Sequence, residues 1–312
     1  MPNNSTKKLA QGSMMIAIFA VLIAIAYYAP LIGLIAAAFS PLSIAWYAAT
    51  YDRKSSIIVA TIGTGITLFV GGAIIIPFAL IFAAVGLVIG DALRIKASKL
   101  YLFISTSITL LVTFAIQYVI SLKLFEVDFI KDMFEMMRVS YEKSLDLSVS
   151  MTGQELMSKE DLNAMFDMLN TMIPATVTLS AVMLAFILIS VNLPLLKRFK
   201  IDVPKFNAFK DMRLPKAVLF YYFAVLCITL FWQPEAGSTT YMIVMNVSLV
   251  LWLLLILQGL SLAFFALDAF NVTKFVKVIV VIFAFPLYSL FIFIGILDLG
   301  FNVRQFIVNK SQ

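Results

Sequence analysis

The sequence contains no histidine. Histidine is the commonest general base and a frequent metal ligand, so its absence excludes Ser-His and Cys-His nucleophilic schemes, HExxH zinc sites and imidazole-ligated haem. The single cysteine, Cys227, lies in an apolar run; it offers no disulfide framework and reads as a packing residue. Walker A, EF-hand and Rossmann patterns are also missing, so the chain carries no recognisable nucleotide site of its own. An enzyme is therefore not expected, and neither a catalytic residue, a cofactor nor a metal is assigned. Charge is scarce as well: 13% of residues are Asp, Glu, Lys or Arg, against about 25% in soluble domains.

What fills the chain is apolar. Hydrophobic residues make up 62% of it and the mean hydropathy is +1.02, which indicates an integral membrane protein. The runs are long and do not alternate in polarity as barrel strands would, so an all-α, polytopic transmembrane bundle is expected. MPNNSTKK precedes an apolar run that continues through Pro30. A signal h-region is shorter and ends in a cleavage site, so this run reads as a retained first helix.

Allowing about 17 to 25 residues per span, nine spans are predicted near 13–30, 33–50, 56–70, 73–92, 100–122, 172–194, 216–232, 239–266 and 276–297. Gly71-Gly72 separates the third from the fourth, as a tight hairpin or a partly re-entrant element. Three regions result: a five-span part at 1–122, an excursion at 123–171, and a four-span part at 172–312 containing a basic loop at 195–216. With the N-terminus inside, 16 of the 23 cations fall on the inner side, while 12 of the 17 acids fall outside. That is the positive-inside pattern. It predicts a multi-pass protein of the bacterial plasma membrane with a cytoplasmic N-terminus, and it removes the case for nucleic acid as a partner. It also puts the C-terminus outside, leaving Arg304 and Lys310 on the disfavoured side.

The acidic excursion reads as an extracytoplasmic, amphipathic helical hairpin. Phe129, Ile130, Met133, Phe134, Met137, Tyr141 and Leu145 recur at helical spacing. After the break SVSMTGQ, Ser158 and Asp161 form a capping box before Leu162, Met165, Phe166 and Leu169. Its methionines suit adaptable packing, with a Cu(I) site as the minority reading. The inner loop LKRFKIDVPKFNAFKDMRLPK reads as a topology-setting loop, or as a dock for a cytoplasmic partner or anionic headgroups.

Within VGLVIGDALRIK, Gly86 and Gly90 make a GxxxG step that lets another helix approach. Asp91 follows at the inner helix end and is expected to form an interfacial pair with Arg94. Gln117, Asn192, Asn246 and Gln258 are amides in or near spans. A buried amide needs a partner, so each is either a helix-to-helix tie or a ligand-binding candidate.

The opening GSMMIAIFAVLIAIAYYAPLIG, the turn GLVIGDALR and the terminal ILDLGFNVRQF together resemble the YybS-like family of bacterial integral membrane proteins. The first six spans are also distantly similar to substrate-binding subunits of energy-coupling-factor vitamin transporters. That likeness rests on Ala17, Ala20 and Ala24 along one side of the first helix, a proline-bearing second span, and a glycine-rich third and fourth pair ending in GLVIGD. It implies a small-molecule ligand taken from outside, a coupling membrane protein packed on the alanine face, and a separate ATPase, in addition to the lipid bilayer. The alternative is a membrane scaffold or sensor that meets an envelope component through 123–171.

Overall fold

The computed structural model describes residues 4–153, 157–205, 208–301 and 303–311. Residues 154–156, the first of which ends the break expected over SVSMTGQ (148–154), and residues 206–207 of the basic loop lie outside them. All regular elements among the described residues are helices. In chain order they are α1 (Asn4–Tyr28), α2 (Gly33–Phe39), α3 (Pro41–Thr50), α4 (Arg53–Ile66), α5 (Leu68–Gly71), α6 (Ile75–Arg94), α7 (Lys99–Leu124) and α8 (Phe129–Thr152). There follow α9 (Lys159–Thr171), α10 (Ile173–Arg198), α11 (Ala217–Cys227), α12 (Thr239–Ala269), α13 (Lys274–Ala284), α14 (Tyr288–Phe301) and α15 (Val303–Ser311).

Six segments among the described residues are long and apolar enough to cross a membrane, or seven if the bent pair formed by α13 and α14 is one span. Nine were expected, and the physical reasons for the difference are local. The expected third and fourth spans fall within one 42-residue apolar segment, Arg53–Arg94. The expected seventh is a 16-residue helix, Ala217–Trp232, whose last turn, Ile228–Trp232, is widened to π-helix. The expected ninth is broken at 285–287 and bent by 107°.

The chain divides into two compact units, Met1–Leu147 with Val177–Lys205, and Ser148–Thr176 with Phe206–Gln312. In the first, Pro41 starts α3 directly after α2, as suits a residue whose missing N–H is no loss in a first turn. The Arg53–Arg94 segment doubles back. Gly72 adopts a left-handed φ of 70°, and Ser56 and Ile57 at the start of α4 border the same cavity as Val88 and Asp91 at the end of α6. Phe19, Ile23, Ile44, Ile75 and Ile89 form the fully buried core of this unit.

Gly86 and Gly90 pack within this chain, against α3. A Cβ on Gly86 would meet the Pro41 carbonyl oxygen at 2.7 Å, and one on Gly90 would overlap the Ala45 carbonyl and the Ala48 methyl. Small residues let two backbones approach in a bilayer, where tight packing substitutes for a hydrophobic driving force. On α1, Ala20 is buried, Ala24 partly buried and Ala17 exposed, so the alanine face is only partly free.

Asp52 caps α4, accepting the Ser55 N–H at 3.1 Å, and pairs with Lys8. The Lys8 ammonium, followed by the Ser55 N–H, holds its carboxyl below the usual carboxylate range. A depressed folded-state pKa contributes stability above the unfolded-state pKa, and that contribution is lost as pH falls through the folded value. Asp52→Asn keeps the cap but removes the charge. It should therefore melt below the wild type at neutral pH, by a margin that shrinks as pH drops below about 4.

In the second unit, Ser158 caps α9 as expected, accepting the Asp161 N–H at 3.1 Å, and its hydroxyl donates to the Asp161 carboxylate at 2.7 Å. Leu162 and Phe166 of α9 are buried, and α9 packs against α12. By contrast, Met133, Met136 and Tyr141 of α8, which belong to the first unit, are exposed, and the helix runs through Thr152, across most of the break expected over 148–154.

Gly259 of α12 and Gly295 of α14 cross face to face. A Cβ on Gly259 would overlap the Phe291 carbonyl oxygen, and one on Gly295 would overlap that of Leu255.

Candidate functional site

Among the described residues, one charged site in each unit stands out: a partly buried one in the first and a fully buried one in the second. The first is a cavity of about 220 Å³ bordered by residues of α3, α4, α6 and α7. Its polar wall consists of Arg53, Ser56, Asp91 and Thr109, and Leu87 and Val88 belong to the apolar remainder. Ser56 donates to the Asp52 carbonyl at 2.9 Å and Thr109 to that of Ser105 at 2.8 Å, so each hydroxyl oxygen keeps acceptor capacity. Asp91 pairs with Arg94, the two side chains being 26% and 28% exposed. Arg94 also reaches the Tyr51 carbonyl at 3.4 Å, and its Nε is buried without a partner. Asp91 is thus both the partner of Arg94 and part of a cavity wall.

Pairs of this exposure contribute about 0 to 1 kcal/mol. Asp91→Asn is accordingly expected to leave the melting temperature nearly unchanged, whereas Gly90→Val, which drives a side chain into Ala45 and Ala48, should lower it sharply. A thermal melt of both variants in detergent checks this.

The second place is a buried ion pair. Asp298 and Arg304 are 3% and 2% exposed and meet at 2.9 Å. The guanidinium also donates to the Lys210 carbonyl at 2.5 Å, the Met212 carbonyl at 3.0 Å and the Ser261 hydroxyl at 3.0 Å, and it stacks 5.4 Å from the Phe265 ring centre. Gln258 completes the group, donating to Asp298 at 2.5 Å and accepting the Leu214 N–H at 2.9 Å. Planar geometry and five donors make arginine suited to such a buried, many-partnered position. Nearby, Lys210 and Lys277 both pair with Asp268.

Sequence reasoning missed Asp298, Arg304 and Ser261. The usable signal was an acid inside the terminal apolar run, because ionisable residues within membrane segments are costly and pair with one another.

The four amides occupy helix-to-helix positions. Gln117 donates to the Pro77 carbonyl at 2.7 Å. Asn192 donates to the Ala38 and Leu188 carbonyls at 2.8 and 2.7 Å, while its side-chain oxygen is buried without a partner. Asn246 accepts the Ala175 N–H at 2.8 Å and donates to the Thr171 carbonyl at 2.7 Å. None of the four borders the cavity. Among the described residues no group of three or more acids or cysteines could hold a metal ion.

The model of a family described as "Predicted membrane protein (DUF2232)" matches residues 17–299, from the first helix through the Gly259–Gly295 crossing to Leu299. The chain belongs to this family. It is also 26% identical, over 309 residues, to a protein from Bacillus subtilis (strain 168) described as "Uncharacterized protein YybS", covering 96% of this chain and 98% of that one. No solved structure matches. The chain is thus an integral membrane protein, in agreement with the resemblance carried by its opening, its GLVIGDALR turn and its C-terminal motif.

Proposed function

We propose that the chain is a non-enzymatic membrane subunit that binds a small molecule and takes part in its uptake, energised by a separate partner. The observation supporting this reading is the cavity beside Asp91. It is mostly apolar, with one guanidinium, and with one carboxylate and two hydroxyl oxygens able to accept hydrogen bonds, and at about 220 Å³ it admits only a molecule smaller than those held by most ligand sites. Because Arg53 shares the wall and Arg94 already pairs with Asp91, it suits a compact apolar molecule bearing a hydrogen-bond donor. Arg53 and Asp91 put it at the end of the helices where the cations Lys8 and Arg94 also lie. The site therefore favours handling of the ligand near the basic face.

Native mass spectrometry of the purified protein should detect a bound small molecule in the wild type and its loss in Leu87→Trp, which fills the cavity. Purification from native membrane should recover an ATPase and a coupling membrane protein with it. A wild type that is consistently empty and solitary would overturn the proposal.

A scaffold or sensor role is the second reading, favoured by the exposed Met133, Met136 and Met151 of α8. Deleting residues 128–168 separates the two. Loss of partner capture with ligand retained would favour the scaffold.

A further inference from the structure

We propose that α8 is an interfacial helix, lying in the plane of the membrane beside α7 with Met133, Met136 and Leu147 sunk among the lipid headgroups and upper acyl chains. Its depth follows from α6 and α7. The 20 residues of α6 make a helix of about 30 Å, one hydrocarbon thickness, and its charges, Asp91 and Arg94, are confined to one end. Gln117 of α7 donates to the Pro77 carbonyl near the other end, seventeen residues from Arg94, or about 26 Å. One residue on, the Tyr118 ring meets Phe129 edge-on at 5.2 Å and its hydroxyl donates to Asp128 at 3.3 Å. The first turn of α8 is therefore level with the far edge of the hydrocarbon.

The connection holds it there. Glu126 takes a left-handed φ of 56°, the Val127 N–H donates to the Ser121 carbonyl at 3.1 Å, and the Ser121 hydroxyl donates to the Val127 carbonyl at 2.7 Å. The chain thus turns back along the last turns of α7 before α8 begins. α7 reaches this point with a lipid-facing stripe: Ile104, Ile108, Val112, Ile116 and Val119 recur at three- and four-residue steps and are about half exposed. Phe125, Val127 and Phe129 carry exposed apolar side chains on from it into α8.

The pattern of α8 fits that depth. At 3.6 residues per turn, Phe129, Met133, Met136, Met137, Ser140 and Leu147 share an arc of about 100°, and none of the seven charged residues from Lys131 to Asp146 falls in it. All six are exposed, Met136 at 71% and Leu147 at 63%. The charges bar the helix from crossing the bilayer, and a row of methionines is poorly placed in water. Lying flat at the boundary satisfies both faces. Charge also selects the lipid. Lys131, Arg138 and Lys143 are offset by Asp132, Glu135, Glu142 and Asp146, so apolar burial holds the helix and no anionic headgroup is required.

Nitroxide labels on single cysteines in a Cys227→Ala background test this in phosphatidylcholine vesicles. The readout is collision with oxygen, which concentrates in lipid, and with a water-soluble nickel chelate. At Met133→Cys, Met136→Cys and Ser140→Cys, oxygen access should exceed nickel access several-fold, and at Glu135→Cys, Glu142→Cys and Asp146→Cys the order should reverse. Nickel access as high at residue 136 as at residue 142 would overturn the proposal by placing the arc in water. Low access of both reagents at 133 and 136 would overturn it by showing protein over them, whether a second copy or an envelope partner. Adding phosphatidylglycerol or salt should leave the pattern unchanged, because attraction to anionic lipid is what salt screens; a pattern seen with anionic lipid alone would sink the assignment to a neutral surface.

Discussion

Gly259→Ala should destabilise the second unit although it adds one methyl group. That methyl would lie on the Phe291 carbonyl oxygen and 3.3 Å from the Gly295 nitrogen. Both neighbours are helical backbone, which cannot rotate away as a side chain end can. Overpacking of this kind costs about 1 to 3 kcal/mol, occasionally more. Gly295→Ala meets the Leu255 carbonyl in the same way and should cost a similar amount. Gly65→Ala is the control, because nothing lies within 4 Å of its added Cβ. In an exposed helical position that change is expected to stabilise by roughly 0.5 to 1 kcal/mol. Melting temperatures of the three variants in one detergent decide the matter; equal behaviour of Gly259→Ala and Gly65→Ala would mean the close crossing does not exist.

Arg304→Met is expected to be more damaging still. It leaves Asp298 as an uncompensated charge at 3% exposure, and breaking one partner of a buried pair costs about 3 to 5 kcal/mol. Replacing the pair together, as Asp298→Leu with Arg304→Met, removes the stranded charge. Buried pairs exchanged for apolar residues are often near neutral. Recovery here should be partial, because the carbonyls of Lys210 and Met212 lose the guanidinium donors and are left to share the single proton of the Ser261 hydroxyl, and an unmet buried acceptor costs about 1 to 3 kcal/mol. A double-mutant cycle on thermal or denaturant unfolding reads the coupling directly. Additive single effects would show that the two charges do not depend on each other.

The parts of the fold that depend on neighbours along the chain are legible in the sequence. Apolar run lengths indicate the helical membrane class, Gly71-Gly72 marks the reversal between α4 and α6, and the Ser158 cap follows from spacing alone. Asp91 and Arg94 pair because three residues separate them on one helix. The remainder depends on distance in space. Asp298 and Arg304 are six residues apart, a spacing with no helical-face signature. Their burial is created by the segment around Lys210 and Met212, more than eighty residues away in sequence. Gly295 likewise lies in no GxxxG pattern, and its close approach becomes visible only when α12 is laid against it. The π-turn that ends α11 and the break between α13 and α14 are not legible, because hydropathy measures how apolar a run is and says nothing of where it bends. The cavity is equally hidden, since its wall draws on four helices and, of its lining residues, only Asp91 stands out in the sequence.

The Arg304 side chain also sets how the second unit can open. Its guanidinium joins α14, through Asp298, to the Ser261 hydroxyl of α12 and to two carbonyls of the 210–212 segment. No one of these can leave without exposing a partner of another, so the elements are bound into a single cooperative unit rather than a set of separately fraying helices. In amide hydrogen exchange, protected N–H groups of α12 around Gln258, of α14 around Gly295 and of Leu214 should therefore exchange through one shared opening with a common denaturant dependence.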